Sequence, residues 1–412
     1  MIISSSRAPG ARAKRLAATL YAYVFLDDLI LLYPVYALLF ADTGLSVSEI
    51  SSLFVLWALT GIVLEVPSGV WADAVSRRLL LAFAPLLGAA GFALWAFVPS
   101  YWAFALGFVL WGARGSLVSG AFEALAYEEL DRLGAAGRYA QILGRTETAG
   151  LIAVGVATAA AGPVFALGGY PALGVASVAA CLLCAAVALA LPEHRSAADP
   201  DEDDDPRGYV EILRSGLAEA RGDRSVRRAL LLVPAVAALW GALEEYVALL
   251  VQETGVSDQA VPVWVLLVWA GMTAGGLLAG AGRRLTAKAL AAVIALAALI
   301  LGGGALSGRP EGVFLVAAAF CAFQMATVVA DARLQERITG PNRATVTSLA
   351  NLGTDLTTVL AYGMYAVVSE FAGHGTVFAV LSAPYLLLAL AMAHDARTRR
   401  NGEVDGPALS RE

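Results

Sequence analysis

The chain of 412 residues is 59% hydrophobic and only 15% charged, with a mean hydropathy of +0.71, far outside the range of an ordinary soluble domain. It reads as an all-α membrane protein, and this composition excludes nucleic-acid binding. The formal charge of -6 says little about partners, because the acids cluster in one segment and the bases follow the loops.

Residues 1 to 15 are polar, with Arg7, Arg12, Lys14 and Arg15. The apolar run behind them is full length and lacks a convincing cleavage site, so an inner-face tail is expected, not a signal peptide. A membrane-crossing helix needs about 20 residues. Apolar runs of that length fit at about 17–40, 47–71, 79–98, 101–124, 145–166, 170–191, 228–251, 260–281, 286–306, 311–332, 345–369 and 374–393. The expected architecture is therefore twelve transmembrane helices in two six-helix pseudo-repeated halves, 1–191 and 228–394, with a linker over 192–227 and a tail over 395–412. With the N-terminus inside, every Lys and Arg falls in a cytoplasmic segment or at its helix ends, except Arg309 in an outer loop and Arg114 within a span. Both termini are then cytoplasmic. The linker opens with an acidic run from Asp199 to Asp205 and continues as an amphipathic surface helix carrying Val210, Ile212, Leu213 and Leu217. Its acids lack the spacing and the glycine of a calcium loop.

The stretch Glu65 to Arg78 ends the second span in a small residue, an acid and two arginines. Gly61, Glu65, Gly69 and Asp73 follow at steps of four and share a helix face. That face is expected to pack on protein, since its glycines allow close approach and Pro67 frees backbone groups. From Gly69 to Arg78 the chain resembles the major facilitator superfamily of secondary transporters, whose loop between the second and third helices carries a pattern close to G-x-x-x-D-R-x-G-R-R. Ala74 and Ser76 replace its first arginine and second glycine. The resemblance implies a cytoplasmic gate, with Glu65, Gly69, Asp73, Arg77, Arg78, Glu123 and Asp331 as gating residues. Asp73 is expected to meet the inner end of the eleventh span near Thr345 and Thr347, and Arg77 or Arg78 to pair with Glu123 or a neighbouring acid.

The halves echo one another at a shift of about 207 or 208 residues. Trp57, Gly69 and Arg77 align with Trp264, Gly276 and Arg284, while Glu123, Glu128 and Glu147 align with Asp331, Glu336 and Asp355. The run Arg114 to Leu130 resembles a bacterial drug-efflux-like branch, in which a small-residue turn precedes an acid and a short amphipathic loop. Gly162-Pro163 followed by Gly168-Gly169 is similar to the family's antiporter pattern in the fifth helix, with a spacer two residues too long.

Chemistry must lie with the charges inside the membrane, because each costs roughly 2.5–3.5 kcal/mol on insertion scales and persists where it faces a cavity or a partner. Asp27, Asp28, Arg114, Glu147 and Asp355 form the candidate proton-coupling set, since carboxyls grouped in a partly dry cavity exchange protons readily. The resemblance implies that the first and fourth helices line a common cavity, so that one of Asp27 and Asp28 reaches Arg114. Asp28 is favoured, because Tyr21 lies seven residues earlier on its face and Val35 or Tyr36 continues that face. Candidate substrate-binding residues are Tyr21, Phe25, Tyr36, Trp111, Trp240, Glu244, Glu245, Tyr246, Phe323 and Gln324; acids and aromatics together favour lipophilic or cationic compounds. No cofactor or metal is expected. Cys181 and Cys184 lie in one apolar helix and Cys321 in another, the CxxC spacing reads as chance, and His194, His374 and His394 fall at helix ends or in loops.

The expected function is a secondary active transporter, a proton-coupled efflux antiporter, with a proton symporter importing a small metabolite as the alternative. A polytopic enzyme is disfavoured by the lack of intramembrane histidine, a nucleophile motif or a folded loop domain. The expected partners are a small-molecule substrate, protons and the lipid bilayer of a bacterial inner membrane, with the protein a monomer.

Overall fold

The computed structural model describes residues 8–194, 224–337 and 343–404, and among them every regular element is helical. The expected linker helix and the acidic run lie outside the described residues. By internal contacts the chain separates into two compact units, Met1–Asp205 with Ser257–Leu266, and Pro206–Val256 with Leu267–Glu412.

In the first unit, α1 (Ala8–Asp27) and α2 (Tyr36–Asp42) are followed by α3 (Val47–Ala74), α4 (Arg77–Phe97), α5 (Tyr101–Arg132) and α6 (Tyr139–Leu189). The turns between them carry hydroxyl caps. Ser46 and Glu49 form a reciprocal capping box on α3, and the Ser76 and Ser100 side chains accept from Leu79 N and Ala103 N to start α4 and α5. The predicted first span, 17–40, is not one helix. It breaks over residues 28–35, where Pro34 supplies no backbone donor and the buried Ser177 hydroxyl accepts from Leu32 N at 3.2 Å. Irregular backbone at membrane depth is tolerated where protein satisfies it in this way.

α5 runs 32 residues without interruption, so the small-residue turn expected after Ser119 is absent and Glu123, Glu128 and Glu129 all ride on the helix. α6 has 51 residues but breaks at Gly168-Gly169, so it consists of two helical arms. Gly169 has φ 61° and ψ -153°, a conformation that L side chains essentially never adopt. Helices approach closely where glycines allow it. A side chain on Gly91 would meet the Gly107 carbonyl, and one on Gly162 would meet the carbonyl of Gln259, a residue grouped with this unit.

Glu193 ties the end of this helical layer together. It accepts from Arg77 N at 2.7 Å and from the Ser76 hydroxyl, so a carboxylate sits on the N-terminus of α4. Glu193→Ala is expected to lower unfolding stability by about 1.5–3 kcal/mol, with Glu193→Gln keeping part of it; thermal unfolding of the detergent-solubilised protein measures both. Equal melting of all three forms would remove Glu193 from this role.

The second unit holds α7 (Arg224–Glu244), α8 (Val247–Glu253), α9 (Val261–Gly282) from Leu267 onward, α10 (Ala287–Leu306), α11 (Gly312–Arg337), α12 (Arg343–Ser369) and α13 (His374–Val404). The predicted seventh span, 228–251, is also broken: α7 and α8 meet at Glu245-Tyr246 with a bend of 52°. Gly271 and Gly275, four residues apart on α9, face the backbone carbonyls of Ala317 and Cys321 on α11, the close approach that small residues four apart permit.

Among the described residues eight helices are long and apolar enough to cross a membrane, or nine if the bent pair is one span. The predicted spans at 17–40 and 345–369 do not pass that test as helices. The first is broken and bounded by charge, and α12 carries Asp355 among several threonines.

Candidate functional site

The first candidate site is built where α1 ends. Arg114, midway along α5, is buried, with 4% of its surface exposed. Its Nη2 lies 2.5 Å from Asp27 Oδ1 and also donates to the Asp27 carbonyl at 2.8 Å, while Nη1 donates to the Tyr33 hydroxyl at 3.4 Å. The expectation that Asp28 would face Arg114 is therefore corrected: the partner is Asp27. A continuous helix would carry the face of Tyr21 and Asp28 through residues 28–35, but α1 stops at Asp27 and the backbone turns there. Asp28 points instead toward α6. Its carboxylate lies against Gly150, with Arg114, Asp27 and Glu147 within electrostatic reach.

Gly88 on α4 makes room for the arginine. A Cβ at that position would lie 2.9 Å from Arg114 Cδ and 3.5 Å from Cys181 Sγ. Gly88→Val is expected to push Arg114 off Asp27, costing about 1–3 kcal/mol and most transport, with Gly88→Ala milder; thermal unfolding and uptake assays check the order. The cysteines dismissed on spacing also belong here. Cys184 Sγ contacts the Tyr23 carbonyl at 3.5 Å and Asp27 Oδ1 at 3.8 Å. They form no disulfide.

An aromatic stack continues from the charge pair. Tyr33 stacks on Trp111 with centroids 5.2 Å apart, and Trp111 stacks on Trp57 at 4.9 Å. Tyr36 is buried against Phe54, Trp95 and Phe108, and its hydroxyl has no hydrogen-bond partner. Tyr33 and Trp57 thus join the candidates Tyr36 and Trp111. Phe25 and Tyr21 are half-buried on α1 below the break.

The second unit carries a parallel arrangement at its own helix break. Glu244 ends α7 and Glu245 opens the break, both half-buried; Glu244 accepts a hydrogen bond from the Trp269 side chain, and Glu245 interacts electrostatically with Tyr362. Tyr246 stacks on Tyr365 at 3.5 Å between ring centroids, and both are buried. Three candidates prove to be core. Trp240 donates Nε1–H to Thr327 Oγ1 at 3.1 Å and its backbone N–H to the Tyr385 hydroxyl, Phe323 stacks on Tyr385 at 4.2 Å, and Tyr246 has no exposed surface. Gln324 remains half-buried beside them.

At the arginine-rich end of the first unit Arg77 pairs with Glu128, five residues beyond Glu123, which is itself exposed. The second unit repeats this pair, with Arg283 Nη2 2.5 Å from Glu336 Oε1. Glu336 is the residue aligned with Glu128, whereas Arg283 precedes the aligned Arg284. Glu65, Glu147 and Asp331 are exposed, and Asp355 is half-buried. The Gly69, Asp73 and Thr345 surroundings lie outside the described residues, and with them the expected meeting of Asp73 and the eleventh span. Thr347 accepts from Gln335 Nε2 at 2.9 Å. Among the described residues no group of His, Cys, Asp and Glu has the arrangement of a metal site.

Apolar helices of membrane-crossing length define a multi-pass membrane protein, and in each unit a pair of acids sits at a helix break. A profile of the Major Facilitator Superfamily matches residues 18–361, and the chain belongs to that superfamily. Similar solved structures are a nucleoside transporter, NupG, at 13% identity over 93% of this chain and 98% of that one, TM-score 0.76, and a D-xylose–proton symporter at 14% identity over 93% and 97%, TM-score 0.64. A bacterial homologue of the human lysosomal transporter Spinster, in an inward-facing and unoccupied conformation, is similar at 15% identity over 95% and 94%, TM-score 0.69. At these identities the likeness is one of fold. No curated protein sequence matches the chain.

Proposed function

We propose that this chain is a secondary active transporter, a proton-coupled efflux antiporter of a small lipophilic or cationic compound in a bacterial inner membrane. In this reading it acts as a monomer of twelve spans with both termini cytoplasmic. The observation that carries it is the ion pair of Arg114 with Asp27 beside the separately placed Asp28 at a helix break. Discontinuous helices place ionisable groups and freed backbone where transporters hold substrate and coupling ion. One acid neutralises the arginine, and the other is left to exchange a proton as substrate arrives. The stack of Tyr33, Trp111 and Trp57 supplies a π surface suited to a lipophilic cation. Arg77, Arg78 and Asp73 are assigned to a cytoplasmic gate, with Glu65, Gly69, Glu123 and Asp331.

Proton-driven import of a polar metabolite is the second reading, favoured by the nucleoside transporter and the D-xylose–proton symporter among the similar folds. Proteoliposomes under an imposed pH gradient, screened with lipophilic cations, nucleosides, sugars and peptides, separate the two. Antiport moves the compound against proton flow and symport moves it with proton flow. Transport indifferent to the gradient for every compound moved would sink both.

A further inference from the structure

A second binding site lies away from the charge pair, at the arginine-rich end of the first unit. A cavity of about 550 Å³ opens there among the ends of α1, α4, α5 and α6. Arg12, Arg15, Arg78 and Arg132 line it, together with Glu129 and His194. The single carboxylate is already engaged: Glu129 Oε1 accepts from His194 N at 2.7 Å and lies 3.1 Å from His194 Nδ1, while Oε2 lies 3.7 Å from Arg132 Nε. Among the described residues no acid pairs with Arg12, Arg15 or Arg78. Arg78 Nε is moreover buried with no hydrogen-bond partner. A buried donor left unmatched calls for an explanation, and a missing acceptor at its open side is the simplest.

Three unpaired guanidinium groups around one cavity leave a net positive hollow with planar, forked donors, the geometry that matches phosphate oxygens. Leu16 and Leu191 line the same cavity and are buried, giving it an apolar wall beside the charges. Polar donors in front and hydrocarbon beside them suit a phosphate carried on an apolar body at a membrane surface.

We infer that this cavity binds a phosphate-bearing anion, through Arg12, Arg15 and Arg78, independently of the transported substrate. Two sources share this chemistry, a phospholipid headgroup and a soluble phosphate. The full chain, delipidated in detergent, is titrated with phosphatidylglycerol, with diacylglycerol, and with inorganic phosphate as competitor, and bound lipid is counted by native mass spectrometry. Phosphatidylglycerol is expected to bind and diacylglycerol to fail. Arg12→Gln/Arg15→Gln should weaken binding about tenfold, while Arg309→Gln, the loss of one positive charge at an exposed position elsewhere, should not. Both arginines are exposed, so an unchanged melting temperature of the lipid-free double variant separates lost binding from lost fold. Displacement by millimolar inorganic phosphate assigns the site to a soluble phosphate, and resistance to it assigns the site to the lipid. Retention of diacylglycerol as strong as that of phosphatidylglycerol, equal binding by the double variant, or no binding of either phosphate probe overturns the proposal.

Discussion

Asp27→Asn is expected to cost the protein both transport and much of its stability. Among the described residues the Asp27 carboxylate is the one charge that contacts the Arg114 guanidinium, and Arg114 has 5% of its side chain exposed. Breaking a buried pair from one side leaves the other charge unmatched and costs roughly 3–5 kcal/mol. Removing both members should be far milder, since the desolvation cost leaves with the charges. Asp27→Asn/Arg114→Gln is therefore expected to melt close to the original protein and still fail to transport. Thermal unfolding in detergent, paired with uptake into proteoliposomes, reads the two effects separately. A double variant as unstable as Asp27→Asn would show that the pair is not what holds these helices.

The neighbouring acid should behave in the opposite way. Asp28 lies against Gly150 and makes no ion pair among the described residues, so Asp28→Asn keeps shape and loses only the exchangeable proton. Its unfolding free energy is expected to change by no more than about 0.5 kcal/mol. Accumulation driven by a pH gradient should vanish, while exchange of labelled for unlabelled substrate across the membrane continues. Full gradient-driven accumulation by Asp28→Asn would take the coupling role away from this residue. Proton release on substrate addition to the purified protein gives a second readout, expected from the native chain and absent from the variant.

Most helices were legible in the sequence because hydropathy and turn chemistry agree there. Ser46, Ser76, Ser100 and Thr286 each cap the helix whose start the apolar pattern predicts, and Gly168-Gly169 marks the break in α6. The breaks at residues 28–35 and at Glu245-Tyr246 were not legible, since an apolar run records burial and not backbone direction. That gap explains the exchanged roles of Asp27 and Asp28: a helical face was extrapolated past the residue at which the helix stops. Aromatic type in the sequence does not reveal that Trp240 bonds Thr327 and that Phe323 stacks on Tyr385. Cys184 was dismissed because a CxxC spacing carries no information on which helix end it faces. The Arg114 site itself was visible, as an isolated charge in an apolar helix is costly wherever it lies.

The glycine turn inside α6 bears on how this protein enters a bilayer. From Thr148 to Pro192 the chain contains no charged residue, so no lysine or arginine marks the point at which the apolar segment must reverse. The signals for orientation sit outside, at Arg138 and Arg145 before it and at Glu193 and beyond after it. The break between the two apolar arms then depends on backbone geometry alone, through the positive φ of 61° at Gly169. A side chain at position 169 would strain the one turn that divides this uncharged stretch of 45 residues.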